Sequence, residues 1–373
     1  MKVETFERME EFMTKAFEAV GVPTEDAKIC AAVLIESDKR GIDSHGVGRF
    51  KPIYIDRILE GIQHPVTKFE ITREGPTTAV VDGHDGMGHV IGVKSMALAI
   101  EKAKKYGMGM VAVRNSTHYG IAGYYPMMAA KEGMIGITGS NARPSTAPTF
   151  GVENMLGTNP LTVGLPTDED FPFVLDCATS ISQRGAIEHY ARMKKEMPEG
   201  WVVDAGGLPV IDPEVALAGL TSGECALVAL GGLGEELAGY KGYGYATVVE
   251  ILCAALQSGA FLKALTDRAP DGTKKPYHLG HFFIAIDINA FVDVEEFKQT
   301  TGEILRELRA SRVAPGQERI YTAGEKEYLA YLERLETGLP MSDAVKKALQ
   351  DTRDDLKIDF RFVWESRKEH HHA

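Results

Sequence analysis

A chain of 373 residues with 44% apolar and 25% charged side chains has the composition of a soluble globular protein, and it is longer than one hydrophobic core usually organises, so two domains are expected. Its 53 acidic against 41 basic residues leave a net charge of −12, which argues against nucleic acid as a partner, since that binding draws on clustered Lys and Arg. Cys30, Cys177, Cys225 and Cys253 lie far apart with no C-x-x-C pair, so neither a disulfide framework nor a zinc ribbon is indicated.

The opening "MKVETFERMEEF" is charged throughout and has no signal-peptide core, and no apolar run reaches the roughly 18–20 residues that span a bilayer. A cytoplasmic protein without a membrane partner is expected. Phe6, Met9, Met13, Phe17 and Val20 recur at helical spacing and predict a helix over residues 3–20. "GVPTEDAKICAAVLIESDKRG" predicts a second, with Thr24 as its N-cap, acids in its first turn and Gly41 as its stop. "DSHGVGRF", residues 43–50, interrupts the pattern, which "GRFKPIYIDRILEGI" resumes through Tyr54, Ile58 and Leu59. From about residue 65 strands, glycine turns and helices alternate, with β-like runs at "TTAVVDG", "MGMVAVRN", "MIGITGS", "LTVGLPT", "FPFVLDCA" and "HFFIAIDI". Helix returns at "DVEEFKQTTGEILRELRASR", and the last 50 or so residues are read as amphipathic helix ending in a disordered "EHHHA" tail. The predicted class is therefore mixed α+β: a discontinuous helical domain from residues 1–71 and 295–373, and an α/β domain over 72–294.

Two glycine-rich stretches invite a phosphate-binding reading. "GMGHVIG" lies between a strand and a helix, but its spacing is G-x-G-x-x-x-G, and the next strand ends without an acid for a ribose hydroxyl. A tight turn with close helix packing is the better reading. In "LAGYKGYGYA", Lys241 precedes an apolar helix, where either a phosphate clamp or a solvated lysine fits. His118 in "RNSTHYGIAGYY" follows a strand among hydroxyls and glycines, a place where α/β proteins put sites, although a lone histidine is as often structural. Thr158 and Asn159 occupy a turn before a proline. Asp176 ends an apolar strand, able to orient a histidine, bind a hydroxyl, or cap the following helix.

His45 and Arg49 suit the reduction of a 2-oxo acid, which needs a proton for the carbonyl oxygen and a cation for the carboxylate. Imidazole titrates near neutrality, and guanidinium binds both carboxylate oxygens in one plane. Ser44 is placed to orient the His45 ring. A metal-dependent hydrolase or lyase built on His45, His118, His189 and Asp176 is the competing class, but outside the terminal "EHHHA" the chain has no H-x-H or H-x-x-x-H pair. No metal is expected.

The blocks "DSHGVGRF", "RNSTHYGIAGYY", "GTNP", "VLDCATS", "EGWVVDAGG", "YKGYGYA", "GHFFIAID" and "RVAPGQE" come in the order found in the type 2 malate/L-lactate dehydrogenase family, which the chain resembles from about residue 5 to 355. That family includes ureidoglycolate, sulfolactate and 2,3-diketogulonate oxidoreductases and a cyclic imino acid reductase, and is distinct from the Rossmann-fold lactate dehydrogenases. The resemblance implies a largely antiparallel dinucleotide-binding domain of non-Rossmann type, NAD or NADP as cofactor, a small carboxylic acid substrate and a homodimer. It implies Ser44 and His45, or else His118, as proton-transfer machinery, and Arg49, Tyr119, Gly120 and Thr158 at the substrate. Ser140, Asn159, Leu175, Asp176, Cys177, Lys241, Gly242, Pro315 and Gly316 would line the cofactor. Cys177 replaces a usual methionine, Ala186 a usual polar residue, and Gln317 a usual glutamate. Malate, lactate, ureidoglycolate or an imino acid all present a carboxylate to Arg49; Arg143, as a second cation, tilts the choice toward malate.

Overall fold

The computed structural model describes residues 4–365, so the "EHHHA" tail lies outside the described residues. Helices α1 (Phe6–Ala19) and α2 (Thr24–Lys39) form as their apolar spacing predicts. Thr24 is the first residue of α2 rather than its cap: Pro23 occupies the cap position, and the Thr24 hydroxyl donates to Glu18 Oε1 at 2.6 Å. Gly41 takes φ +77°, and the chain turns through residues 42–46 into the short α3 (Val47–Arg49), a π-helical segment over Phe50–Ile55 and α4 (Asp56–Leu59). Pro52 has no N–H to donate and sits inside that irregular segment.

The sheet begins with β1 (Glu70–Glu74) and β2 (Thr78–Asp82), followed by α5 (Gly88–Tyr106) and β3 (Met108–Ser116). Then come α6 (Tyr124–Lys131), β4 (Met134–Ser140), β5 (Leu161–Leu165) and β6 (Phe173–Cys177). An excursion of α7 (Arg184–Met193), β7 (Val202–Asp204), α8 (Pro213–Ser222) and β8 (Cys225–Leu227) forms a separate two-stranded ribbon with two helices. The chain returns through α9 (Gly239–Ala254) to β9 (Leu279–Asp287). The seven strands run in the order β1-β2-β3-β9-β4-β5-β6, and β2–β3 is the one parallel pair. A single parallel neighbour pair rules out the doubly wound Rossmann arrangement and gives the largely antiparallel sheet expected. β9 lies mid-sheet with most of its residues buried, which explains its unbroken apolar run.

Three more helices follow: α10 (Val294–Ala310), α11 (Glu325–Thr337) and α12 (Asp343–Asp355). Beyond Asp355 the chain is not helical as expected. Ile358, Phe360, Phe362 and Trp364 recur every second residue, the period of extended backbone, and Phe362 packs 4.9 Å from Phe12 between ring centroids. One core thus joins both chain ends, with Phe12, Phe17, Phe50 and Tyr54 against Leu349 and Phe362. A second core lies between α5, α6 and the sheet. Among the described residues, no helix is long and apolar enough to cross a membrane.

Candidate active site

A cavity of about 450 Å³ opens where the 42–46 turn meets the segment after β3, the end of β4 and strand β6. It brings together Ser44, His45, His118, Tyr119, Gly120, Ser140, Thr158, Leu175 and Asp176. Ile121, Met127, Pro160, Val174 and Leu175 give it apolar lining, and Ser140, Thr158 and Asp176 polar lining. Such a slot suits a flat ring with a polar substituent.

The turn carrying Ser44 and His45 is built on Asp38. Its buried carboxyl group accepts the Val47 N–H at 2.8 Å and so caps α3. Gly46 lies so close above it that a Cβ would stand 2.0 Å from Asp38 Oδ1, so only glycine fits. Arg334 of α11 clamps the turn from outside, donating to the Asp38 carbonyl and to both oxygens of Asp43. Burial pushes the Asp38 carboxyl up to about 8.

His45 Nδ1 lies 2.9 Å from Ser44 Oγ, a hydroxyl open to solvent. Arg49 Nε donates to the Ser44 carbonyl at 2.8 Å, and no carboxylate lies within 4 Å of its guanidinium among the described residues. Its Nη2 faces Gly185 at the start of α7, 4.0 Å from where a Cβ would stand.

His118 faces His45 with ring centroids 5.8 Å apart and planes 18° from parallel. Its Nδ1 meets the Tyr54 hydroxyl at 2.6 Å and the Gly120 N–H at 3.3 Å. A backbone N–H only donates, so Nδ1 is an acceptor and the proton of the neutral ring sits on Nε2, toward the cavity. Burial pulls His45 down to about 4, with Arg49 adding to the effect. Burial likewise holds His118 well below the ordinary range, reinforced by its neighbours His45, Arg57, His89 and Arg49. Two facing imidazoles are therefore neutral at pH 7. Beneath them His89 on α5 is fully buried, pulled down to about 3 by burial, and packs 4.5 Å from the Tyr54 ring.

"GMGHVIG" also finds its purpose here. A Cβ on Gly88 would stand 2.3 Å from the Thr117 carbonyl oxygen and 2.4 Å from that of His118. The glycine lets α5 press against the backbone carrying His118, and the Gly88 N–H is taken by Thr117 Oγ1 at 2.9 Å. Close packing accounts for the glycine.

Asp176 accepts the Gly123 N–H at 2.6 Å and the Thr162 hydroxyl at 3.1 Å, and burial raises its pKa. It does not cap the following helix: α7 starts later, at Arg184, with Gln183 at the cap position. Tyr119 stacks on His281 (4.4 Å, 1°), whose ring nitrogens meet Ser140 and Ser116 hydroxyls at 2.9 Å each.

Several expected residues stand outside this cavity. Asn159 is buried, its amide donating to the Ala246 carbonyl (3.1 Å) and Glu250 (2.8 Å), which ties its turn to α9. Cys177 is half-buried beside the Leu161 carbonyl. Lys241 is exposed in the first turn of α9, and Gly242 is buried where a Cβ would meet the Leu230 carbonyl oxygen at 2.1 Å. Pro315 and Gly316 form an exposed turn after α10. Arg114, at the end of β3, is held by Asp82 at 2.9 Å. Among the described residues no three His, Cys, Asp or Glu side chains converge as metal ligands.

Asp38, Tyr54 and Arg57 were not legible as site residues. Tyr54 sits at apolar helical spacing and reads as core, and its bond to His118 joins residues 64 apart.

Comparison with known proteins places the chain in a family. Residues 5–350 match the malate/L-lactate dehydrogenase family. Malate dehydrogenase of Pyrococcus horikoshii is 44% identical over 353 residues, 95% of each chain. L-sulfolactate dehydrogenase of Methanocaldococcus jannaschii is 41% identical over 341 residues, 91% of this chain and 93% of that one. The crystal structure of malate dehydrogenase from Entamoeba histolytica superposes with a TM-score of 0.93 at 45% identity, covering 97% of this chain and 99% of the other. This chain belongs to the malate/L-lactate dehydrogenase family of oxidoreductases.

Proposed function

We propose that this protein interconverts a 2-hydroxy acid of the malate or lactate kind and its 2-oxo acid, with NAD or NADP as redox partner. Relatives named for either cofactor occur in the family. The observation that carries the reading is the pair of neutral imidazoles beside the unpaired Arg49 guanidinium. The apolar lining and the polar lining formed by Ser140, Thr158 and Asp176 fit a nicotinamide ring and its carboxamide. Ser140, Thr158 and Asp176 would hold a nicotinamide there, which would supply the hydride chemistry.

The chain's own residues do the rest. Arg49 holds the substrate carboxylate through paired hydrogen bonds. In the oxidative direction His45 Nε2 accepts the hydroxyl proton and passes a proton from Nδ1 through the Ser44 hydroxyl to water. Serine suits that relay because its oxygen both donates and accepts. His118 is fixed as an Nε2–H donor by Tyr54 and Gly120, so it orients the substrate oxygen and stabilises charge developing on it. The exposed apolar face of α9, where Tyr245, Val248 and Ile251 are 56%, 49% and 54% exposed, supports the homodimer reading.

Absorbance of reduced nicotinamide, followed as the purified protein meets a panel of 2-oxo acids with NADH and with NADPH, tests the proposal. Oxidation with one acid is expected, and silence across the panel overturns it. Arg49→Ala should raise KM for the acid by roughly ten- to a hundredfold, the worth of a charge-assisted pair. His45→Ala should lower kcat by about 10²–10⁴, the usual share of a general acid–base group. Full kcat in His45→Ala with loss in His118→Ala would exchange the two roles.

A further inference from the structure

Behind Ser140 and Tyr119, which line the main cavity, lies His281, a fully buried residue of β9. β9 runs between β3 and β4, and His281 is in register with Ser140 of β4. β3 changes register between Val113 and Ser116, with Asn115 at φ +50°, and Ser116 reaches the other side of the ring. The imidazole is thus held by two hydroxyls, with Nδ1 2.9 Å from Ser140 Oγ and Nε2 2.9 Å from Ser116 Oγ. The Tyr119 ring lies flat against it, 4.4 Å away and 1° from parallel, which fixes its plane. Burial pulls His281 down to about 3, so the ring is neutral and carries one N–H for two serines.

That proton has two places to sit, and both have the same consequence for Ser140. Ser140 Oγ donates to the Asn141 carbonyl at 2.7 Å. With the ring proton on Nδ1, Ser140 Oγ accepts it, and Nε2 accepts the Ser116 hydroxyl. With the proton on Nε2, Nδ1 competes with the Asn141 carbonyl for the Ser140 hydrogen. Either way that hydrogen is committed to the protein, and Ser140 offers the cavity a lone pair. An acceptor there matches the amide N–H of a pyridine carboxamide and disfavours a carbonyl oxygen in its place. We propose that His281 is a positioning residue: by fixing the Ser140 hydroxyl as an acceptor, it selects a cofactor whose ring carries an amide NH2. The inference rests on the preceding reading, in which the nicotinamide lies against Ser140.

The test is calorimetric titration of the full-length protein with NAD or NADP, whichever binds more tightly, and with its 3-acetylpyridine analogue, in which a methyl ketone replaces the amide. Wild type should bind the carboxamide form about three- to tenfold more tightly, the worth of one hydrogen bond. His281→Phe keeps a flat ring against Tyr119 but bonds neither serine, and should bring the ratio close to one. His281→Asn places its amide where Nδ1 stands and should restore most of the preference, whereas His281→Gln reaches toward the Nε2 position and should not. Thermal melts confirm folding, and the contrast of Asn with Gln decides if the Phe variant does not fold. Equal weakening of both forms in every variant, with the ratio kept, would show a purely structural His281 and overturn the proposal. A wild-type ratio near one would overturn it as well. If neither dinucleotide binds wild type, the nicotinamide reading itself fails and the proposal falls with it.

Discussion

Asp38 holds the site loop with a carboxyl group that no side-chain cation reaches within 4 Å among the described residues. With its pKa raised to about 8, the folded chain keeps a proton there that the unfolded chain releases near 3.8. Its contribution to stability therefore declines as pH rises from the ordinary aspartate range toward 8, and levels off above it. The lowered His45 and His89 values act oppositely: folded rings stay neutral where unfolded ones protonate, so stability is lost as pH falls below about 6.5. Asp38→Asn keeps the acceptor for the Val47 N–H and removes the ionisation. Its melting temperature should fall less than wild type's between pH 6 and 8, and identical slopes would show that Asp38 does not titrate there. Asp38→Ala leaves the Val47 N–H without its partner and should cost about 1–3 kcal/mol in urea unfolding.

Helix α5 is tied to the site through its first residue. Gly88→Ala places a methyl 2.3 Å from the Thr117 carbonyl oxygen and 2.4 Å from that of His118, and both obstacles are backbone. Either α5 or the His118 segment must shift. Overpacking of this kind costs about 1–3 kcal/mol, and moving His118 should also lower kcat in protein that is still fully folded. Wild-type kcat in folded Gly88→Ala would show that the packing does not position His118. The same helix shows where local pattern misleads: glycines between a strand and a helix suit a phosphate, yet here they serve helix-to-backbone contact. Asp176 and Thr24 went the same way, because a polar residue at an element's end reads as a cap until a competing partner, Gly123 or Glu18, is in reach.

The assembly reading is tested on the apolar face of α9. Ile251→Glu puts a charge in the middle of that face, away from the cavity, and should convert a dimer to monomer by light scattering with the melting profile intact. A wild-type mass that is already monomeric would end the homodimer proposal. At this level much of the protein is legible from one dimension. Periodicities of 3.6 and 2 mark most helices and strands, and the ordered motifs carry the family and the pairing of His45 with Arg49, because each such signal lies within a few residues. The bonds that assemble the cavity do not. Tyr54 reaches His118 across 64 residues, Asp176 reaches Gly123 across 53, and Arg334 reaches Asp43 across 291. Each depends on how the helices of both chain ends dock on the sheet, and docking is set by the shape of buried cores, which no local pattern encodes.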